Sequence, residues 1–132
     1  MSPVPYLSDE WRAEAELRIK SKLTPEDLNH VTTSMSNVYL DCPGGGTKSL
    51  VFRFQGGVLT ELALGAGEPP EAEFHLTGSY EVMAKVLRGE ISAQKALLGA
   101  QVKLKGNMLK ALQLAGLAER VNKVLARIPT EY

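Results

Sequence analysis

Residues 97–112 read LLGAQVKLKGNMLKAL, and the period of their apolar residues changes partway through. Val102 and Leu104 alternate with Lys103 and Lys105, as in a strand. After Gly106-Asn107, Met108, Leu109 and Leu112 recur at helical spacing, with Asn107 placed to cap the helix. A short strand, Val102–Lys105, therefore feeds a long helix almost directly. Such turns often hold a phosphate or a catalytic group. This one has a lone glycine and no GxGxxG, and alternation turns its lysines away from Val102 and Leu104. What gathers at the bend is apolar surface.

Working outward, the last helix is expected to run from Asn107 to about Ile128. Its stripe begins with Met108, Leu112 and Ala115 and continues through Leu117, Val121, Val124, Leu125 and Ile128, with Gly116 as a point of bending or division. Upstream, Ser79 caps a helix over SYEVMAKVLRG, and a short helix follows at Ser92 to Leu98. Before these stand four strands. Pro43-Gly44-Gly45-Gly46 joins a strand expected at Asn37–Cys42 to one at Lys48–Gln55, where Leu50, Phe52 and Phe54 share a face. Gly56-Gly57 leads into VLTELALG, and the Pro69-Pro70 loop leads into AEFHLTG. There Phe74 and Leu76 point one way, Glu73 and His75 the other.

Two helices are expected at the N-terminus. The first, Ser8–Lys22, is capped by Ser8 and carries Trp11, Ala15 and Ile19 on one stripe. The second opens at Thr24-Pro25, with Leu28, Val31 and Met35 buried. Val38 and Tyr39 fit either its end or the start of a strand, and the turn behind them favours the strand. The chain reads as a single domain, 1–132, with N-terminal helices over 1–36 and sheet and covering helices over 37–128. Strands and helices segregated early and mixed late predict an α+β fold.

Composition narrows the function. A chain of 132 residues with 44% hydrophobic content is long enough for one core. No apolar run reaches the roughly 18 residues of a membrane span, and MSPVPYLSDEW lacks a secretory pattern. The single cysteine, Cys42, fits a reducing, cytoplasmic setting and reads as a structural thiol. CPGGGTKS is a poor phosphate loop, because Thr47 precedes Lys48 where glycine is needed and a strand follows. His30 and His75 have no second ligand at metal spacing, and no GxSxG elbow exists. No catalytic residue, metal or cofactor is expected. Net charge is zero but unevenly spread, with nine bases and two acids between Lys85 and Arg127. That third contains no aromatic residue, which argues against nucleic acid. It reads either as a solvated face or as a surface for transient contact with an anionic membrane.

The run Glu73–Leu112 resembles the sterol carrier protein domain, the type-two sterol-transfer family. The resemblance rests on Thr77 and Ser79, on Gly89-Glu90-Ile91-Ser92 with Ala96, on Gly99, on Val102-Lys103-Leu104-Lys105, and on Gly106-Asn107-Met108 with Ala111 and Leu112. The meander VYLDCPGGGTKSLVFRFQGG looks like the family's first hairpin, and the Trp11 helix looks like that of stand-alone bacterial members. The resemblance implies a five-stranded mixed sheet covered by helices, with an apolar tunnel between them. It implies non-catalytic binding and transfer of an apolar lipid: fatty acid, acyl-CoA, phospholipid or sterol-like. The alternative is an accessory domain presenting acyl substrates to a partner enzyme. A homodimer through the N-terminal helices is a third reading. PTEY is not the family's peroxisomal tripeptide, so a generic acyl lipid is expected. Expected lipid-binding residues are Phe52, Phe54, Leu62, Phe74, Leu76, Met83, Val86, Leu97, Leu104, Met108, Leu112, Leu117 and Val121. An apolar tunnel of about 300 Å³ left rigid and empty would cost on the order of 7 kcal/mol. It is therefore expected to be filled or partly collapsed.

Overall fold

Ser8 caps the first helix, its Oγ accepting the Trp11 N–H at 3.2 Å, and α1 runs Asp9–Lys22. Its apolar stripe of Trp11, Ala15 and Ile19 is fully buried, while Arg12, Glu16 and Lys20 pair along the outer side. A computed structural model describes all residues from Met1 to Tyr132. Before α1 lies a two-residue strand, β1 (Val4–Pro5). After it come β2 (Thr33–Leu40), β3 (Lys48–Gln55), β4 (Val58–Ala66) and β5 (Phe74–Ser79). Three helices follow, α2 (Tyr80–Leu87), α3 (Ala93–Leu98) and α4 (Met108–Leu125), with β6 (Lys103–Lys105) between α3 and α4 and β7 (Thr130–Glu131) at the end.

The main sheet has five strands in the order β4-β3-β2-β5-β6. It is mixed, since β2 and β5 pair in parallel and the other neighbours are antiparallel. The fold is α+β with helices on one face of that sheet. In register across it lie Leu64, Leu50, Asn37, Leu76 and Leu104, and beside them Leu62, Phe52, Met35 and Phe74. Trp11, Ala15 and Ile19 of α1 join Leu50, Leu59 and Leu62 in one cluster with Val121 and Leu125 of α4. The small parallel sheet β1-β7 ties the two ends of the chain together.

Since β4 and β5 run the same way, the segment 67–73 crosses the other face of the sheet. Arg53 Nη2 donates to the Glu71 carbonyl at 2.7 Å, and the Glu73 N–H donates to Ser34 Oγ at 2.8 Å. Ser36, Ser49 and Val51 of that face are buried.

The structure corrects the expected second N-terminal helix. Thr24 and Asp27 do form the reciprocal cap of a helix start, at 2.9 and 3.1 Å. The chain then makes only turns. Asn29 and His30 take left-handed backbone angles (φ 50° and 51°), which a right-handed helix cannot contain. Val31-Thr32-Thr33 then favours extended chain, and β2 gains two pairing partners at once. The strand expected at Asn37–Cys42 therefore starts at Thr33 and ends at Leu40, and Met35 belongs to the sheet. The residues 1–36 hold one helix, not two. Gly116 does not divide α4, which is continuous through it.

Candidate functional site

Ala111, Ala115 and Ala118 lie three or four apart on α4 and turn short side chains toward the sheet. Ala93 and Ala96 do the same from α3. Opposite stand the rings of Phe52, Phe54 and Phe74. Alanines cannot reach across the gap, so a cavity of about 140 Å³ remains between sheet and helices. Of its 25 lining residues 22 are hydrophobic, the rest being Thr33, Asn37 and Asn122, so no charged side chain borders it.

Phe52, Phe54, Phe74, Leu76 and Leu104 reach the cavity from the sheet, Met83, Val86 and Leu97 from α2 and α3, and Leu117 and Val121 from α4. Three expected residues do not border it. Leu62 is buried in the core cluster shared with Trp11, and its carbonyl accepts from Arg12 Nη1 at 3.0 Å. Met108 opens α4 and is 42% exposed. Leu112 packs against the core but lies off the inward stripe, which runs Ala111, Leu114, Ala115, Ala118, Val121 and Asn122. Sequence reasoning missed Met35 because its part of β2 reads as helix, and it also missed Asn37 and Tyr39, which lie in the expected strand. The alternation of Met35 with Ser34 and Ser36 was the available signal. It also missed the alanines, because apolar bulk marks a wall and alanine marks a space.

Two contacts hold α4 over the cavity. The Lys110 ammonium donates to the Glu73 carboxylate, which also accepts from the Thr33 hydroxyl at 2.6 Å. Lys110 first, then Thr33, holds the Glu73 carboxyl below its ordinary pKa of 4.5. Farther along, Arg120 Nη1 donates to the Asp27 carbonyl. At the opposite end of β2, the Tyr6 and Tyr39 hydroxyls share a hydrogen bond of 2.6 Å. Burial pushes Tyr6 well above its usual value and Tyr39 up to about 12, although the Tyr6 hydroxyl and the Asn37 amide pull Tyr39 the other way. Cys42 is buried and its thiol donates to the Tyr39 carbonyl at 3.3 Å. No group of three His, Cys, Asp or Glu side chains is placed to hold a metal ion, and no helix is long and apolar enough to cross a membrane.

Fold and cavity together define a class: a small α+β domain holding an uncharged apolar hollow between one sheet face and its helices. The chain belongs to the SCP-2 sterol transfer family, whose pattern matches residues 14–119. It is 27% identical over 113 residues to hydroxysteroid dehydrogenase-like protein 2 of Bos taurus, covering 85% of this chain and 26% of that one. The chain thus spans about a quarter of that relative. A crystal structure of sterol carrier protein 2 superposes with a TM-score of 0.80 at 17% identity, covering 93% of this chain and 98% of the other. Sterol carrier protein 2 of Aedes aegypti, solved with the C16 fatty acid palmitate, gives a TM-score of 0.56 at 20% identity, covering 92% and 98%.

Proposed function

We propose that this chain binds one apolar lipid in the cavity behind α4 and carries it between membranes or proteins without altering it covalently. The observation that carries the reading is the uncharged apolar hollow. Its 140 Å³ is below the roughly 300 Å³ at which ligand pockets begin, so a long chain enters only if the cavity widens. The wall that moves is α4, which rests on alanines and two polar tethers. Palmitate in the Aedes aegypti protein supports an acyl chain as the class of cargo. A chain of about 16 carbons leaving water gains roughly 13 kcal/mol gross at ~0.8 kcal/mol per methylene, and a bilayer offers nearly the same. Near-parity between protein and membrane suits exchange.

Exchange needs a surface. Leu98 and Leu109 are 65% and 68% exposed, and Lys95 and Lys105 stand near them in the chain, exposed as well. Apolar side chains among cations suit an anionic bilayer, where each lysine contributes about 1 kcal/mol. A second reading, a domain that presents acyl substrates to an enzyme, is favoured by the relative of which this chain matches only 26%.

Native mass spectrometry of the purified chain, followed by organic extraction and by incubation with vesicles of phosphatidylglycerol, tests the proposal. Retained or acquired lipid at one molecule per chain supports it. A chain that is empty on purification and takes up nothing refutes it. Transfer that persists after Leu98→Ser with Leu109→Ser refutes the docking surface alone.

A further inference from the structure

Along the inward side of β2, Thr33, Met35, Asn37 and Tyr39 face the cavity in turn. Three of them are accounted for. Met35 is apolar, Thr33 donates to Glu73, and the Tyr39 hydroxyl is engaged with Tyr6. Asn37 is not. Its cross-strand neighbours are Leu50 and Leu76, and its Oδ1 is shielded from solvent without any hydrogen-bond partner. A strand position between two leucines would ordinarily carry an apolar side chain. An amide oxygen closed away without a donor is costly in a free protein, and a bound molecule that supplies the donor removes the cost.

The lining limits what that molecule can be. No lysine, arginine or histidine borders the cavity, so an ionised head brought to Asn37 would be stripped of water with no countercharge. A hydroxyl meets the requirement in full. Its O–H donates to Oδ1. We propose that Asn37 is an inner polar anchor, and that the cavity takes amphiphiles with an uncharged hydroxyl head inserted first, the hydrocarbon trailing between α4 and the sheet. This rests on the lipid-binding reading above and adds to it the head chemistry and the orientation.

Calorimetric titration with 1-decanol and with decyl methyl ether separates the two ideas. The pair share an apolar chain, but only the alcohol can donate. The parent protein is expected to bind the alcohol about tenfold more tightly. Asn37→Leu is expected to reverse the order, with the ether the tighter ligand. Equal affinities in the parent, or an alcohol preference that survives Asn37→Leu, overturns the anchor while leaving lipid binding in place. Binding of neither compound by the parent sinks both the anchor and the lipid-binding reading.

Discussion

Replacing Ala115 by leucine is expected to close the cavity and to stabilise the empty protein in the same step. Ala115 is 7% exposed and borders the hollow from α4. A rigid void of 140 Å³ costs about 3 kcal/mol at ~24 cal/mol per Å³. Leucine adds three carbons at ~0.8 kcal/mol each, against roughly 0.5–1 kcal/mol of lost rotamer freedom. The net is about 1.5 kcal/mol, or about 6 °C in melting temperature for a domain of this size. Urea unfolding of lipid-stripped protein reads the first effect. Lipid titration reads the second, and uptake should fall at least tenfold. Saturating lipid at about a hundred times Kd adds about 2.7 kcal/mol to the parent and little to the variant. Gln113→Leu, on the exposed side of the same helix, serves as control and should move neither quantity. If α4 were packed solidly on the sheet, the same three carbons would overcrowd it and cost about 1–3 kcal/mol. A destabilised Ala115→Leu protein that still takes up lipid refutes the reasoning.

Other outcomes follow from neighbouring residues. Leu104→Glu places a charge on the cavity wall and should abolish lipid uptake, whereas Lys103→Glu, exposed on the other side of β6, should not; equal uptake by the two in a fluorescence displacement assay contradicts the cavity. The Glu73 carboxyl is held below 4.5 by Lys110 and Thr33, so its contribution to holding α4 is present above pH 4.5 and is lost as pH falls through the depressed value. Lipid release, followed by stopped flow, should quicken in that acid range for the parent, and Glu73→Gln should be fast already at neutral pH. Tyr6 and Tyr39 are raised by burial, so the stability they contribute is complete below pH 10 and drains away as pH climbs toward about 12. Ultraviolet titration should find two of the four tyrosines ionising only with loss of the fold.

Most of the fold was legible because its signals are local. Ser8, Ser79, Ser92 and Asn107 were read as caps or helix starts, and each accepts a backbone N–H three residues on. The stripe of Trp11, Ala15 and Ile19 was read as buried and is. The failure at 24–35 has a physical source. Thr24 and Asp27 form a genuine helix cap, so the local cue was sound. It was outweighed by sheet pairing from residues at 50–54 and 74–76, which no local pattern contains. Tertiary pairing overrides propensity most easily where β-branched residues follow a helix of a single turn. That error carried into the site, since it hid Met35 from the cavity wall.

The cavity itself was the harder reading, and for a different reason. Hydrophobic periodicity reports which side of an element is shielded from water, and a solid core and a hollow one shield it equally. What distinguishes them is volume. On α4, the side toward the sheet mixes alanine with leucine and valine: Ala111, Leu114, Ala115, Leu117, Ala118, Val121. Toward the C-terminal end, Leu125 and, beyond the helix, Ile128 lie in the core with Trp11 and Ile19 and away from the cavity. The larger side chains fix the spacing between helix and sheet, and the alanines within that spacing leave it unfilled. Ala115→Leu therefore tests the spacing, and Asn37→Leu tests what the unfilled space is shaped to hold. The two substitutions act on opposite walls and on different terms of the free energy. If both hold, the hollow is built, with a polar end and an apolar body; if only the first holds, it is a plain void that accepts any chain.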